Sequence, residues 1–256
     1  MKKLNQLSES DFLKVLFGYF TAAFLIAALV MPDRAGMLTG LWSIISQPSK
    51  ISTNYFAVGG YSATFLNMGL VALLCLALYV LLGAAANNVS TLAFLLTVGF
   101  TSWGINVLNM WPSILGVVLY SLVKREKLGG NVNAMLFSTG LAPLVTELMV
   151  RYPHAEAVGF RLTGVALGLA VGVAIGFFLP AGLAHSPKVH KGYDLYSAAL
   201  PVGMAAFFLQ AVLYKTMGVG LPAAPAAETL KVASRLTVNT FCIAVFGILV
   251  IAALCM

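Results

Sequence analysis

Three asparagines and one glutamate, set inside otherwise apolar sequence, are the residues of this chain best suited to chemistry. Asn67, Asn106 and Asn109 are uncharged amides in long hydrophobic runs interrupted by glycine or proline. An amide at membrane depth offers two donors and an acceptor, so it can replace part of the hydration of an ion or a polar solute. The same groups can instead satisfy backbone atoms freed by a helix break, or join two helices. Glu147 is the one acidic residue well inside an apolar run, and Arg151 follows it at i,i+4. That placement suits either a cation or proton site or an ion pair at the membrane edge. Gly59, Gly60 and Thr139 mark further interruptions, which makes the candidate substrate-binding set Asn67, Asn106, Asn109, Glu147, Gly59, Gly60 and Thr139.

No cofactor or metal is expected. His185, His190, Tyr193, Asp194 and Tyr196 gather around one loop, but their spacing fits no zinc motif. Asp194 reads more simply as a helix cap or dipole partner. The sequence holds no nucleotide-binding loop, zincin motif, nucleophile elbow or dinucleotide fingerprint. Cys75, Cys242 and Cys255 lie in apolar segments without metal-ligand spacing and read as small buried hydrophobes.

The elements that must position these residues are membrane helices. The chain is 60% hydrophobic and 9% charged, against roughly 25% charged residues in soluble domains. Its mean hydropathy is +0.94. Such a chain cannot cover a globule with polar surface, and its runs lack the alternation of a transmembrane barrel. The net charge of +7 comes from short Lys and Arg clusters at the ends of apolar runs. Those clusters suit lipid headgroups, so the partner is the bilayer and not nucleic acid.

Residues 12–31 predict an uncleaved first membrane helix, ended by Pro32-Asp33-Arg34. Residues 35–48, with Trp42, are too short to span and predict a helix lying at the membrane surface or dipping into it. The runs 55–83 and 91–124 are too long for one crossing. A straight helix over 91–124 would extend about 51 Å, against a hydrocarbon core of about 30 Å. Gly59-Gly60-Tyr61-Ser62 marks the break in the first run; Gly104, Asn106, Asn109 and Pro112 interrupt the second. Further helices are predicted over 132–149 (containing Pro143), 162–184 (ended by Pro180), 194–216 and 233–256. The expected fold is an all-α polytopic membrane protein of one domain, residues 1–256. It has about six to eight inserted segments, including broken or re-entrant helices. If 91–124 returns to its starting side, Lys124–Lys127 and Lys188–Lys191 share a face with the basic N-terminus, which the positive-inside rule places in the cytoplasm. The excess over the other face is small.

Leu66-Asn67-Met68 and Leu108-Asn109-Met110 each follow a glycine-marked break and precede a long helix, which hints at an internal repeat. Gly164, Gly168, Gly172 and Gly176 recur every four residues and form a stripe for close helix packing, within the chain or in a homo-oligomer.

Several stretches together resemble the bacterial membrane proteins of domain-of-unknown-function family fifteen-seventy-six. They are Asn54–Gly60 with Phe65–Leu70, Asn106–Pro112 with Gly116–Tyr120, Phe137–Pro143 and His190–Tyr196, in the family's order. The resemblance implies a bacterial multi-pass protein of the cell (inner) membrane and supplies no activity, substrate or catalytic residue. The chain looks shorter than the family pattern, which implies a compact member completed by oligomerising or a truncated product. The functional expectation is a transporter or channel for a small polar solute or ion. Its site lies at midplane between the breaks at Gly59–Asn67 and Gly104–Pro112. The other expectation is a non-transporting structural or assembly subunit; no enzymatic constellation is visible.

Overall fold

A helix bathed in lipid needs no polar face, and the long apolar runs of this chain form helices of that kind. The computed structural model describes residues 7–48, 53–152, 158–193 and 197–216, with five isolated positions between 239 and 250. The chain divides into two compact units, Glu9–Pro222 and a second of Met1–Ser8 with Ala223–Met256. All elements described below belong to the first. Apart from those five positions, the span expected at 233–256 lies outside the described residues, as do Asp194, Tyr196, Cys242 and Cys255.

Every regular element among the described residues is helical. Helix α1 (Glu9–Val30) carries Glu9 and Asp11 in its first turn, where acidic side chains complement the helix dipole. It runs antiparallel to α3 (Tyr55–Leu81), with Phe17 beside Tyr79 at one end and Leu25 pressed on Gly69 nearer the other. Between them, α2 (Met37–Ser46) packs on the first turns of α3, with Ile44 buried and Leu38 and Trp42 exposed. The run 91–124 divides into α4 (Asn88–Phe100) and α5 (Trp111–Lys124). Next come α6 (Val132–Ser138), α7 (Ala142–Arg151), α8 (Leu162–His190) and α9 (Ala199–Gln210), the last continuing as a wider π turn to Thr216.

Among the described residues, four segments are long and apolar enough to cross a membrane: α1, α3, Leu128–Arg151 and α8. The shorter apolar helices are α4, α5 and Ala199–Lys215. Within Leu128–Arg151 the apolar window is 83% buried, against 33–50% for the other three, so α6 and α7 form the centre.

Neighbour pairs give the direction of each element. Ser10 accepts a hydrogen bond from the Ala86 amide, and Gly129 lies against the Leu82 carbonyl. The start of α1, the end of α3 and the segment after α5 therefore share one end of the molecule. Helix α8 starts beside Tyr152, passes Pro112 at Gly172 and reaches Tyr120 at Phe177, so it runs parallel to α5 toward the same end. Lys124, Arg125, Lys127, Lys188 and Lys191 thus gather at this basic end. Arg34, Arg151, Arg161 and Lys215 belong to the opposite one.

Three boundaries differ from those read in the sequence. The interruption of 91–124 spans residues 101–110, and Pro112 belongs to the first turn of α5, where a missing N–H costs nothing. The helix expected over 132–149 is broken at Thr139–Leu141 by a tight 3-10 turn, with Pro143 starting α7. Pro180 does not end α8, which continues through Pro180 and Pro187 to His190. Proline is tolerated inside membrane helices where packed neighbours compensate the lost hydrogen bond.

The glycine stripe explains how α8 seats. A Cβ on Gly164 would lie 2.7 Å from the Leu148 carbonyl oxygen, and one on Gly168 would lie 2.6 Å from Met149 Cγ. Cβ atoms on Gly172 and Gly176 would collide with Pro112 and the Ser113 carbonyl, and one on Gly116 with the Val173 carbonyl. The stripe faces α7 in its first half and α5 in its second. Small residues let these backbones touch where lipid offers no hydrophobic driving force. Gly176→Val is expected to destabilise the protein by about 3 kcal/mol or more, since overpacking against backbone cannot relax by a rotamer change. Gly99→Ala and Gly203→Ala, where a Cβ meets nothing within 4 Å, should be neutral or stabilising by about 0.5–1 kcal/mol through helix propensity. Thermal unfolding of the three variants in detergent checks the contrast.

Candidate functional site

Two breaks in the helical backbone organise the polar residues. The first is at Gly60, which adopts φ 84 and ψ 178 inside α3. Only glycine takes that conformation without strain. It frees the amides of Tyr61 and Ser62, and both donate to Asp33: Tyr61 N to Oδ2 at 2.7 Å, Ser62 N to Oδ1 at 3.1 Å. Asp33 thereby caps the second part of α3 as an N-cap residue would, but from the loop after α1. The Ser62 hydroxyl donates to the Ala28 carbonyl, and Thr64 Oγ1 donates back to the Gly60 carbonyl at 2.7 Å. Gly59 is required by proximity, since a Cβ there would lie 2.6 Å from Ile44 Cδ1.

The second break is the turn between α4 and α5, where the three asparagines meet. Asn67, inside α3 and fully buried, donates through Nδ2 to the carbonyls of Thr101 and Ile105, both at 2.9 Å. Its Oδ1 accepts from the Val107 amide at 3.2 Å. Asn106 Oδ1 accepts from the amides of Leu108 and Asn109 at 3.0 and 2.9 Å, and its Nδ2 reaches the Tyr55 hydroxyl at 3.5 Å. Asn109 returns the arrangement: its Oδ1 accepts from Asn106 N, while Nδ2 donates to the Gly104 carbonyl and to Thr146 Oγ1, all at 2.8 Å. The Tyr55 amide donates to the Ser102 carbonyl at 3.0 Å, which ties the start of α3 to the same turn. These amides therefore act mainly on protein backbone: together they pair the carbonyls of Thr101, Gly104 and Ile105 and the amides of Asn106, Val107, Leu108 and Asn109.

The remaining candidates lie around this centre. Thr139 donates to the Leu136 carbonyl at 2.6 Å and closes the turn between α6 and α7. Glu147, on α7 and 4% exposed, pairs with Arg151 at 3.3 Å, and Tyr214 lies near enough to feel both charges. Thr146, bonded to Asn109, is the residue before Glu147, so the asparagine network reaches the charged pair through one turn of α7. His190 Nε2 lies 2.9 Å from Ser197 Oγ, and its Nδ1 accepts from the Gly192 amide. A neutral ring in that arrangement carries its proton on Nε2 and cannot serve as base toward the serine.

Asn67, Asn106 and Asn109 are thus brought together, Gly59 and Gly60 belong to the Asp33 break, and Thr139 to a third. The two Leu-Asn-Met triplets occupy different local structures, one inside α3 and one in the turn, with their amides in a single network. Asp33, Tyr55 and Thr146 were not singled out by the sequence. Asp33 reads there only as the stop of α1, and its partners lie 28 and 29 residues on.

An all-helical bundle with apolar spans and stapled interior breaks is the architecture of an integral membrane protein. The chain belongs to the family described as protein of unknown function DUF1576, whose pattern matches residues 34–215. No curated protein and no solved structure matches it.

Removing one amide should be costly. Asn67→Ala leaves two carbonyls and one amide of the turn without partners, at about 1–3 kcal/mol for each buried group, so a loss of about 3 kcal/mol or more is expected. Asp33→Ala should cost about 1–2 kcal/mol, the range for a lost helix cap. Melting temperatures of the purified variants test the ranking; equal stability of Asn67→Ala and wild type would overturn this account of the turn.

Proposed function

We propose that this protein is a transporter or channel for a small polar solute or ion in the inner membrane of a bacterium, with α4 and α5 acting as a re-entrant hairpin. One observation carries the reading: α4 starts and α5 ends at the basic end, while the turn between them is fastened to Asn67 inside the bundle. Helix α4 has 13 residues, about 20 Å of a hydrocarbon core of about 30 Å. Transporters and channels use such half-helices to bring helix termini and unwound backbone to membrane depth. In this reading Asn67, Asn106 and Asn109 are positioning residues that shape the turn lining the path. Gly59, Gly60 and Thr139 set the neighbouring breaks, and Glu147 with Arg151 supplies the charged group for a cation or proton. In this reading the hairpin and α9 are inserted alongside the four long helices, toward the six to eight segments expected from the sequence. The basic end would face the cytoplasm.

A second reading is favoured by a specific observation. Both Nδ2 donors of Asn67 and of Asn109 are already engaged with protein atoms. A structural or assembly subunit needs no free polar group at its centre. The glycine stripe would not be its docking surface, because α8 uses those glycines against α7 and α5.

Flux assays in liposomes separate the two. Purified protein should carry at least one of K+, Na+, H+, glycerol or urea faster than protein-free vesicles. Glu147→Gln should slow a cation or proton flux about tenfold or more, leave any glycerol or urea flux unchanged, and lower the melting temperature because Arg151 loses its charged partner. Wild-type vesicles no leakier than empty ones to all five probes would sink the conduit reading and favour the subunit.

A further inference from the structure

We propose that a cleft at the basic end binds an anionic group, a phosphate or a carboxylate. This inference does not depend on the conduit reading, because the cleft lies away from the asparagine turn. A cavity of about 320 Å³ opens between the end of α3, the loop before α4 and the segment after α5. Its polar lining comes from Tyr79, Asn87, Lys127 and Asn133, and the rest is mostly glycine and alanine. No carboxylate lines it.

The hydrogen bonds already present decide what the lining can offer. Tyr79 donates its hydroxyl proton to Asn133 Oδ1 at 2.6 Å. Asn87 Oδ1 accepts from the Ser90 amide at 3.0 Å as the cap of α4. Both amides therefore have their acceptor atoms engaged and their Nδ2 donors left for a ligand. Lys127 is exposed and adds a full positive charge. Glu126, the adjacent acid, is turned to Asn131, whose Nδ2 donates to Oε2 at 2.9 Å. Side chains that offer donors and a cation, with both amide oxygens already occupied, favour an anion. The glycines matter because a Cβ on Gly130 would meet nothing within 4 Å, so the space beside it is open to a ligand.

Two sources could deliver such a group. Leu81 and Val80 are exposed next to the cleft, so an anionic phospholipid could place its headgroup phosphate there with its acyl chains along α3. A small soluble organic anion would use the same donors from the aqueous side.

Thermal unfolding in a neutral detergent tests the site with phosphatidylglycerol, phosphatidylcholine, glycerol 3-phosphate and inorganic phosphate as probes. A ligand of the folded state raises the melting temperature by mass action. Stabilisation by phosphatidylglycerol but not by phosphatidylcholine or the soluble anions assigns a lipid headgroup. Stabilisation by glycerol 3-phosphate or phosphate assigns a soluble anion. In either case Lys127→Gln should weaken apparent binding about fivefold or more, the worth of one basic group facing an anionic lipid, and Lys127→Arg should restore it. Gly130→Phe, which fills the open space, should abolish the effect without lowering the ligand-free melting temperature. No stabilisation by any anion, or equal stabilisation of wild type, Lys127→Gln and Gly130→Phe, overturns the proposal.

Discussion

Backbone amides and carbonyls cannot be left unpaired in hydrocarbon, and this rule governs the whole architecture. An unbroken helix obeys it without help. This chain departs from helix at Gly60, over residues 101–110 and at Thr139–Leu141, and at each departure side chains take over the pairing. Asp33 serves the first, three asparagines the second and Thr139 the third. The three buried asparagines therefore serve a break, and the break serves the need to turn the chain inside the bundle.

Close packing follows from the same solvent. Lipid tails are as apolar as leucine, so helices associate through contact and not through exclusion of water. The glycines of α8 let its backbone approach α7 and then α5, holding both halves of the central region with one helix. The hairpin turn is thus secured twice, by amides toward α3 and by glycine contacts toward α8.

Much of this was legible in sequence, because run length and helix-breaking residues are local signals. The overlong runs 55–83 and 91–124 announced interruptions, and Gly60 and the asparagines lie at them. Helix limits at proline were less legible: Pro180 passes through α8, because a packed membrane helix tolerates what an exposed one would not. The partners of the amides were invisible. Asn67 reads alike whether it faces a solute or the carbonyl of Ile105, and only the fold brings residues 34 to 40 positions apart into contact. Asp33 went unread for the same reason.

The Asp33 cap has a consequence for how the chain is made. Its carboxylate precedes the amides it receives, so this cap can close once Ser62 has been made, while Tyr55 at the start of α3 still awaits the Ser102 carbonyl. Asn67 is in the opposite situation, since its three backbone partners are translated only afterwards. Until the turn after α4 arrives, α3 enters the bilayer with an amide still awaiting its carbonyls. The turn between α4 and α5, made later, brings the carbonyls of Thr101 and Ile105 and the amide of Val107 to an asparagine already present in the chain.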